Sequence, residues 1–244
     1  MELILKNVMK SYGSTPVLKD VSIHLENKFA VAIIGPSGAG KSTLLRLLSK
    51  IEETDSGTIQ VNQHVLNETL ADSYYKQIGF VFQSHTLFPH LSVLKNITLV
   101  LEKVHKKSKQ EANEIALNLL RKFDLEDQAN KPPHQLSGGQ SQRVSIVRSL
   151  AIQPEVLFLD EPTSSLDPVL KQEVLRTILK LKDDHASFVI VTHELLFAKK
   201  AADYLIFMKD GQIIEHGDIS ILAKPQSIEL REFLSNEFID CNQS

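Results

Sequence analysis

The chain has 244 residues, 42% of them hydrophobic and 23% charged, which suits one large α/β domain, or a domain with a subdomain, burying a sizeable core. A formal net charge of −3 argues against a nucleic-acid binder, which ordinarily shows a basic excess. The single cysteine, Cys241, excludes an intrachain disulfide and a Cys-rich zinc site, and it fits a reducing setting.

The predicted elements follow in chain order. Met1 to Lys6 lacks the long apolar core of a signal peptide, and no apolar run approaches the roughly 20 residues of a membrane helix, so the chain is expected not to span a membrane. Residues 1–28 read as strands, with Val21, Ile23 and Leu25 alternating with polar neighbours. Phe29 to Ile34 is continuously apolar, the pattern of a strand covered on both faces, and Val156 to Leu159 and Phe188 to Val191 repeat it. Polar or charged residues follow both later runs at once, and ligand groups gather at the carboxyl ends of such strands. Ser108-Lys-Gln-Glu111 has capping-box spacing and opens a helix bearing Ile115, Ala116, Leu119, Leu120 and Phe123. Pro132-Pro133 precedes a helix with Val144, Val147, Leu150 and Ala151 on one face, and Asp167-Pro168 starts another with Leu170, Val174, Ile178 and Leu181. Asp210-Gly211, between Tyr204–Met208 and Gln212–Glu215, predicts a hairpin. Leu230, Phe233 and Leu234 predict a docked C-terminal helix with a frayed end. Asn67-Glu-Thr and Asn96-Ile-Thr match the glycosylation pattern, read as chance.

Gly35-Pro36-Ser37-Gly38-Ala39-Gly40-Lys41-Ser42, followed by Thr43, matches the phosphate-binding loop in full. It follows an apolar strand and opens a helix bearing Leu44, Leu45, Leu47 and Leu48, the arrangement the chemistry needs. The glycines let successive N–H groups point at phosphate oxygens, and the positive end of the helix favours the anion. Lys41 is placed on the β- and γ-phosphates of ATP, and the Ser42 hydroxyl on Mg²⁺. Asp160, ending an apolar strand, suits Mg²⁺ coordination, and Glu161 next to it suits activation of water as a general base.

Leu136-Ser137-Gly138-Gly139-Gln140 makes the reading more specific. Ser137 can cap a helix while Gly138 and Gly139 offer N–H groups at its positive end, an element that binds phosphate. This pentapeptide resembles the signature of ABC ATPases. The resemblance implies a P-loop NTPase (RecA-like) α/β core with an antiparallel β subdomain and an inserted α-helical subdomain, in one ABC ATPase domain over residues 1–244. Its expected parts are a core at about 1–85 and 154–225, a helical subdomain at about 86–153, and a C-terminal helix and tail at about 226–244. It also implies that the loop of Ser137, Gly138, Gly139 and Gln140 serves a nucleotide held by a second subunit. Gln83 then resembles the glutamine that touches Mg²⁺ and the attacking water, Ser164 to Asp167 the loop that crosses the dimer interface, His193 the switch histidine on γ-phosphate, and Tyr12 the aromatic that stacks on adenine. For that last role only position favours Tyr12 over Tyr74 and Tyr75. The remaining histidines, such as His64, His85, His90 and His134, show no ligand spacing with acids or cysteines.

Across its length the chain resembles the ATP-binding subunits of polar amino-acid uptake systems. The resemblance rests on Leu87 to Ile97, Arg148 to Glu155 and Thr192 to Ala198. It implies a groove after Gln83, with Leu87, Phe88 and Leu91 as candidate linings, that receives a short helix of a membrane subunit. Ser141, Ser145 and Ser84-His85-Thr86 depart from the usual pattern and leave the substrate open. Partners implied are a second copy or a homologous ATPase, separate transmembrane permease subunits and, indirectly, an extracytoplasmic binding protein, at the cytoplasmic face of the inner membrane. Another ABC transporter motor, for lipid, lipoprotein, metal or export, is the alternative. Only 96 positions separate Lys41 from Ser137, too few for the long coiled coil of a chromosome-structuring relative. A translation-type factor normally carries two such domains, and a non-catalytic module is expected to have lost Lys41, Asp160, Glu161 or His193.

Overall fold

The computed structural model describes residues 1–66, 73–84 and 86–241. His85 and the Asn67-Glu68-Thr69 pattern lie outside the described residues. In chain order the elements are β1 (Leu3–Tyr12), β2 (Thr15–Leu25), β3 (Ala30–Ile34), α1 (Lys41–Leu48), β4 (Ser56–Val61), β5 (His64–Val65), α2 (Ser73–Gln77), β6 (Ile78–Val81) and α3 (Val93–Lys103). They continue with α4 (Lys109–Lys122), α5 (Gly138–Leu150), β7 (Val156–Asp160), α6 (Pro168–Asp183), β8 (Phe188–Val191), α7 (Leu195–Ala201), β9 (Tyr204–Lys209), β10 (Gln212–Asp218) and α8 (Ile228–Cys241). The chain divides into two compact units, residues 1–71 with 185–244, and residues 72–184.

The first unit carries an antiparallel sheet of order β2-β1-β4-β5, and a second group in which β3 pairs in parallel with both β8 and β9. Every residue of β3 and β8 is buried, as the unbroken apolar runs require of strands covered on both faces. β10 returns antiparallel to β9 through Asp210-Gly211, whose φ values of 50° and 82° are the two positive angles the hairpin demands. α8 places Leu230 and Leu234 in the core and stacks Phe233 on Phe207 at 5.3 Å, the docking its spacing predicts.

In the second unit β6 and β7 pair in parallel, and α3 to α6 supply the helical mass. Helix starts follow local chemistry. Ser108 accepts from the Glu111 N–H at 3.2 Å while its own N–H donates to Glu111 Oε2 at 2.9 Å. The predicted stripe on α4 is only partly right: Ala116, Leu120 and Phe123 are buried, as is Ala112, but Ile115 and Leu119 are half-exposed. On α5, Val144, Ile146 and Val147 are all buried, so the helix is enclosed on more than one face.

The sequence reading passes over α3. Its Val93, Ile97 and Leu101 are buried one turn apart, and Ser92 caps it by accepting from the Lys95 N–H at 3.2 Å. Asn96, read from sequence as a chance glycosylation pattern, is 1% exposed. Its amide donates to the carbonyls of Phe88, Leu91 and Ser92 at 3.2, 3.1 and 3.0 Å, and Oδ1 accepts from the Phe88 N–H at 2.7 Å. One side chain thus satisfies the backbone of the whole 88–92 turn. Asn96→Ala is expected to lower unfolding stability by about 2 kcal/mol, because several buried backbone groups lose their partner at once. Urea denaturation measures it, and a loss under about 0.5 kcal/mol would mean that the turn finds other partners.

Candidate active site

Each unit carries a set of the site residues. In the first, β3 delivers the chain into the phosphate loop and α1 leaves it, with Gly40 at its N-cap. Gly35 adopts φ 147°, and a Cβ there would lie 2.0 Å from the Met208 carbonyl oxygen, so no other residue fits. Lys41 is 6% exposed, and its Nζ donates to the carbonyl oxygens of Gly35 and Pro36, both at 2.8 Å. The ammonium is thus held against its own loop. Ser42 is half-buried, Ala39 and Thr43 are buried, and Ser37 and Gly38 face solvent.

His193 is exposed one residue after the Thr192 that follows β8, and Thr192 Oγ1 accepts from the Glu194 N–H at 3.1 Å to fix the turn. Tyr12 ends β1 with 46% of its surface exposed, its hydroxyl donating to Glu52, which Arg46 also meets at 3.4 Å. Burial first, and then the bond to Glu52, raise the Tyr12 hydroxyl above the usual tyrosine range. Of the two competing tyrosines, Tyr74 is 1% exposed and closed to a base, while Tyr75, at 48%, is as open as Tyr12. Lys10 Nζ stands 5.7 Å from the centre of the Tyr12 ring.

In the second unit Asp160 ends β7 at 2% exposure. Glu161 follows with φ 42°, in the left-handed region that costs a non-glycine residue about 1 kcal/mol or more. Such strain turns the acid sharply off the strand end. Gln83 Nε2 donates to Ser164 Oγ at 3.1 Å and to Glu161 Oε2 at 3.4 Å, so glutamine, serine and acid form one constellation across 81 positions of sequence. Ser164 was read only as part of an interface loop, and its bond to Gln83 has no local sequence signal.

Ser137 caps α5. Its Oγ accepts from the Gln140 N–H at 3.1 Å, and Gln140 Oε1 accepts from the Ser137 N–H at 3.0 Å. Gln140 therefore completes a capping box, a role the spacing allowed and the sequence reading left unstated. Gly139 packs against Leu170, where a Cβ would approach to 3.0 Å. Asp167 caps α6, with Oδ1 accepting from the N–H groups of Val169 and Leu170, each at 3.0 Å.

A hollow on this unit has Phe88 in its lining but not Leu87 or Leu91. The remaining histidines show no ligand spacing in the sequence, while in the fold His24 Nε2 lies 3.0 Å from Glu26 Oε1 and 3.6 Å from Glu2 Oε1. The antiparallel register that pairs Leu3 with Leu25 and Ile4 with His24 creates this exposed cluster.

Residues 18–164 match the family model described as ABC transporter. The chain belongs to the ABC transporter family. It is 44% identical over 234 residues to the glutamine transport ATP-binding protein GlnQ of Escherichia coli, covering 95% of this chain and 98% of that one. It is 42% identical over 230 residues to the glutamate transport ATP-binding protein GluA of Corynebacterium efficiens, covering 93% and 95%. Among solved structures, a dimeric post-hydrolysis state of an ATP-binding cassette bound to ADP and Pi superposes with a TM-score of 0.78 at 35% identity, covering 89% of this chain and 98% of that one. This ABC ATPase has the cassette fold, a P-loop NTPase with an antiparallel sheet and a helical part, and its hydrolysis of ATP is coupled to transport. No helix among its described residues is long and apolar enough to cross a membrane.

Gly35→Ala in this ABC ATPase is expected to weaken nucleotide binding by about tenfold or more, since the loop or β9 must shift to admit the methyl group. Titration with a fluorescent ATP analogue measures it, and wild-type affinity would mean that the close approach of Met208 is not needed.

Proposed function

We propose that this chain drives a polar amino-acid importer, two copies closing around two ATP molecules and moving separate membrane subunits. The bond network of Gln83, Glu161 and Ser164 carries the catalytic part of this reading, because it holds an acid and an amide together where a water molecule needs both a base and an orienting partner. The substrate class follows from near-full-length similarity to relatives named for glutamine and glutamate transport. An extracytoplasmic binding protein would hand the amino acid to the membrane subunits, and the motor would sit peripherally on the cytoplasmic face of the inner membrane. Residues 1–85 and 154–225 would act as the nucleotide-binding core, 86–153 as the helical subdomain, and 226–244 as a C-terminal helix and tail.

Lys41 and the N–H groups of residues 35 and 37–43 bind the phosphates, and Tyr12 offers its ring to the adenine. Ser137, Gly138 and Gly139 of the second copy complete the site from the other side, with Gln140 holding Ser137 in its cap and the Asp167 loop crossing the interface. Glu161 accepts a proton from the attacking water, Gln83 orients that water, and His193 contacts the γ-phosphate. Water adds to the γ-phosphorus as the bond to the bridging oxygen breaks, giving ADP and inorganic phosphate. The hydroxyl of Ser42, the carboxylate of Asp160 and the amide oxygen of Gln83 are hard oxygen donors suited to Mg²⁺. When bound, Mg²⁺ would neutralise phosphate charge.

Glu161→Gln is expected to abolish turnover while retaining ATP, and to double the molar mass seen by light scattering with ATP and Mg²⁺. A monomer under those conditions would end the two-copy account. Lys41→Ala is expected to lose most nucleotide affinity, and normal ATP turnover would remove Lys41 from its role. For the transport reading, the tagged chain should recover a polytopic membrane protein and a binding protein from native membranes, and that binding protein should bind glutamine or glutamate by calorimetry. Recovery of ribosomal or DNA-processing proteins instead would overturn it.

A further inference from the structure

In the unit of residues 1–71 and 185–244, α8 packs on β9 through the Phe207–Phe233 stack and leaves a hollow of about 160 Å³ beside it. Glu229, Glu232, Phe233 and Asn236 recur at helical spacing on the α8 face that lines it. Phe207 and Lys209, two residues apart on β9, line it from the strand side, and Pro36 of the phosphate loop completes the wall. The lining is thus two aromatic rings and a proline, with charges of both signs around them.

These charges do not satisfy one another. Among the described residues Lys209 forms no ion pair with Glu229 or Glu232, although all three line one hollow. Glu229 has a local reason to be acidic, because it lies in the first turn of α8, where the helix dipole favours a carboxylate. Glu232 has none: it stands one turn from a like charge, a placement that weakens a helix. A molecule that carries a cation and an anion answers both sides at once, with its carboxylate on the Lys209 ammonium and its ammonium on the two glutamates. The Asn236 amide adds a donor and an acceptor for a polar side chain. The space is below the roughly 300–1,000 Å³ of a drug-sized site and suits a ligand of about ten heavy atoms.

We propose that this hollow binds a small zwitterion of the α-amino-acid class and that its occupancy weakens ATP binding at the phosphate loop. The link runs through Pro36. Its carbonyl oxygen accepts from Lys41 Nζ at 2.8 Å, so a ligand packed against Pro36 braces an acceptor that competes with phosphate for the same ammonium. Linkage makes the effect mutual, and ATP lowers affinity for the zwitterion by the same factor. The charges in the wall, not the transported molecule, set the ligand class, so the site stands whether or not the chain drives an amino-acid importer.

The test titrates the full-length chain with L-glutamine and the other common α-amino acids, and with succinate and n-butylamine as ligands of one charge sign only. Calorimetry is expected to show binding of an amino acid and of neither control. In phosphate-release assays the tightest-binding amino acid is expected to raise the KM for ATP about fivefold with kcat unchanged. Lys209→Ala and Glu232→Gln are expected to keep the wild-type KM and kcat and to lose both the binding and the response. Wild-type amino-acid binding in these variants, or controls that bind as tightly as the amino acid, would overturn the assignment of the hollow. So would the absence of both heat and a KM change with every amino acid up to its solubility limit. Binding that leaves the KM for ATP where it was would overturn the link to the phosphate loop. Thermal unfolding of each variant is recorded alongside, and should one fail to fold, the other decides.

Discussion

Lys41 carries a full positive charge at a position where only 6% of its surface reaches water. A buried ammonium is costly unless hydrogen-bond acceptors surround it, and here the first acceptors are the carbonyls of Gly35 and Pro36 in its own loop. That arrangement needs the chain to turn back on itself immediately after a strand buried on both faces. Only a residue without Cβ can make the turn, because the Met208 carbonyl of β9 fills the space beside Gly35. The pairing of β3 with β9 and the geometry of the phosphate loop are thus one constraint. Shifting β9 would disturb the lysine, and filling Gly35 would disturb β9.

The 72–184 unit answers a different demand. It must hold a glutamine, a serine and an acid in register although they come from separate stretches of chain. Parallel pairing of β6 with β7 sets the strand ends side by side, with Val81 opposite Leu159, and the side chains that follow those ends meet as a result. Glu161 leaves its strand in a left-handed conformation, a local cost tolerated at a site where direction matters more than backbone comfort. Beyond Gln83 the backbone has little regular structure of its own. Asn96 from α3 and Arg148 from α5 supply hydrogen bonds at Phe88 and Thr86, so two helices set the shape of residues 86–92.

Much of this architecture could be read from local pattern. The apolar runs named β3, β7 and β8, the capping boxes at Ser108 and Ser137, and the Asp210-Gly211 turn all rest on interactions within a few residues, so spacing reveals them. Helix α3 is weakly signalled in the sequence because its Val93, Ile97 and Leu101 stripe is short. Asn96 was misread because a three-residue glycosylation pattern says nothing about burial. Its partners at Phe88 and Leu91 lie within one loop, yet the amide points inward only because α3 is packed.

By itself, then, the sequence determined the chemistry on offer: a phosphate loop, two acids ending an apolar strand, a capped glycine pair, a glutamine and a histidine after strands, in an order that belongs to one family. Residue type and near-neighbour spacing are enough for that, since each motif is local. Tertiary structure alone decided which of these groups touch. It joined Gln83 to Ser164, set Glu2 beside His24 through the β1–β2 register, buried Tyr74, and put Arg148 against Thr86. Such contacts depend on strand register and helix packing over tens of residues, and a shift of one position in a strand sends every side chain to the other face.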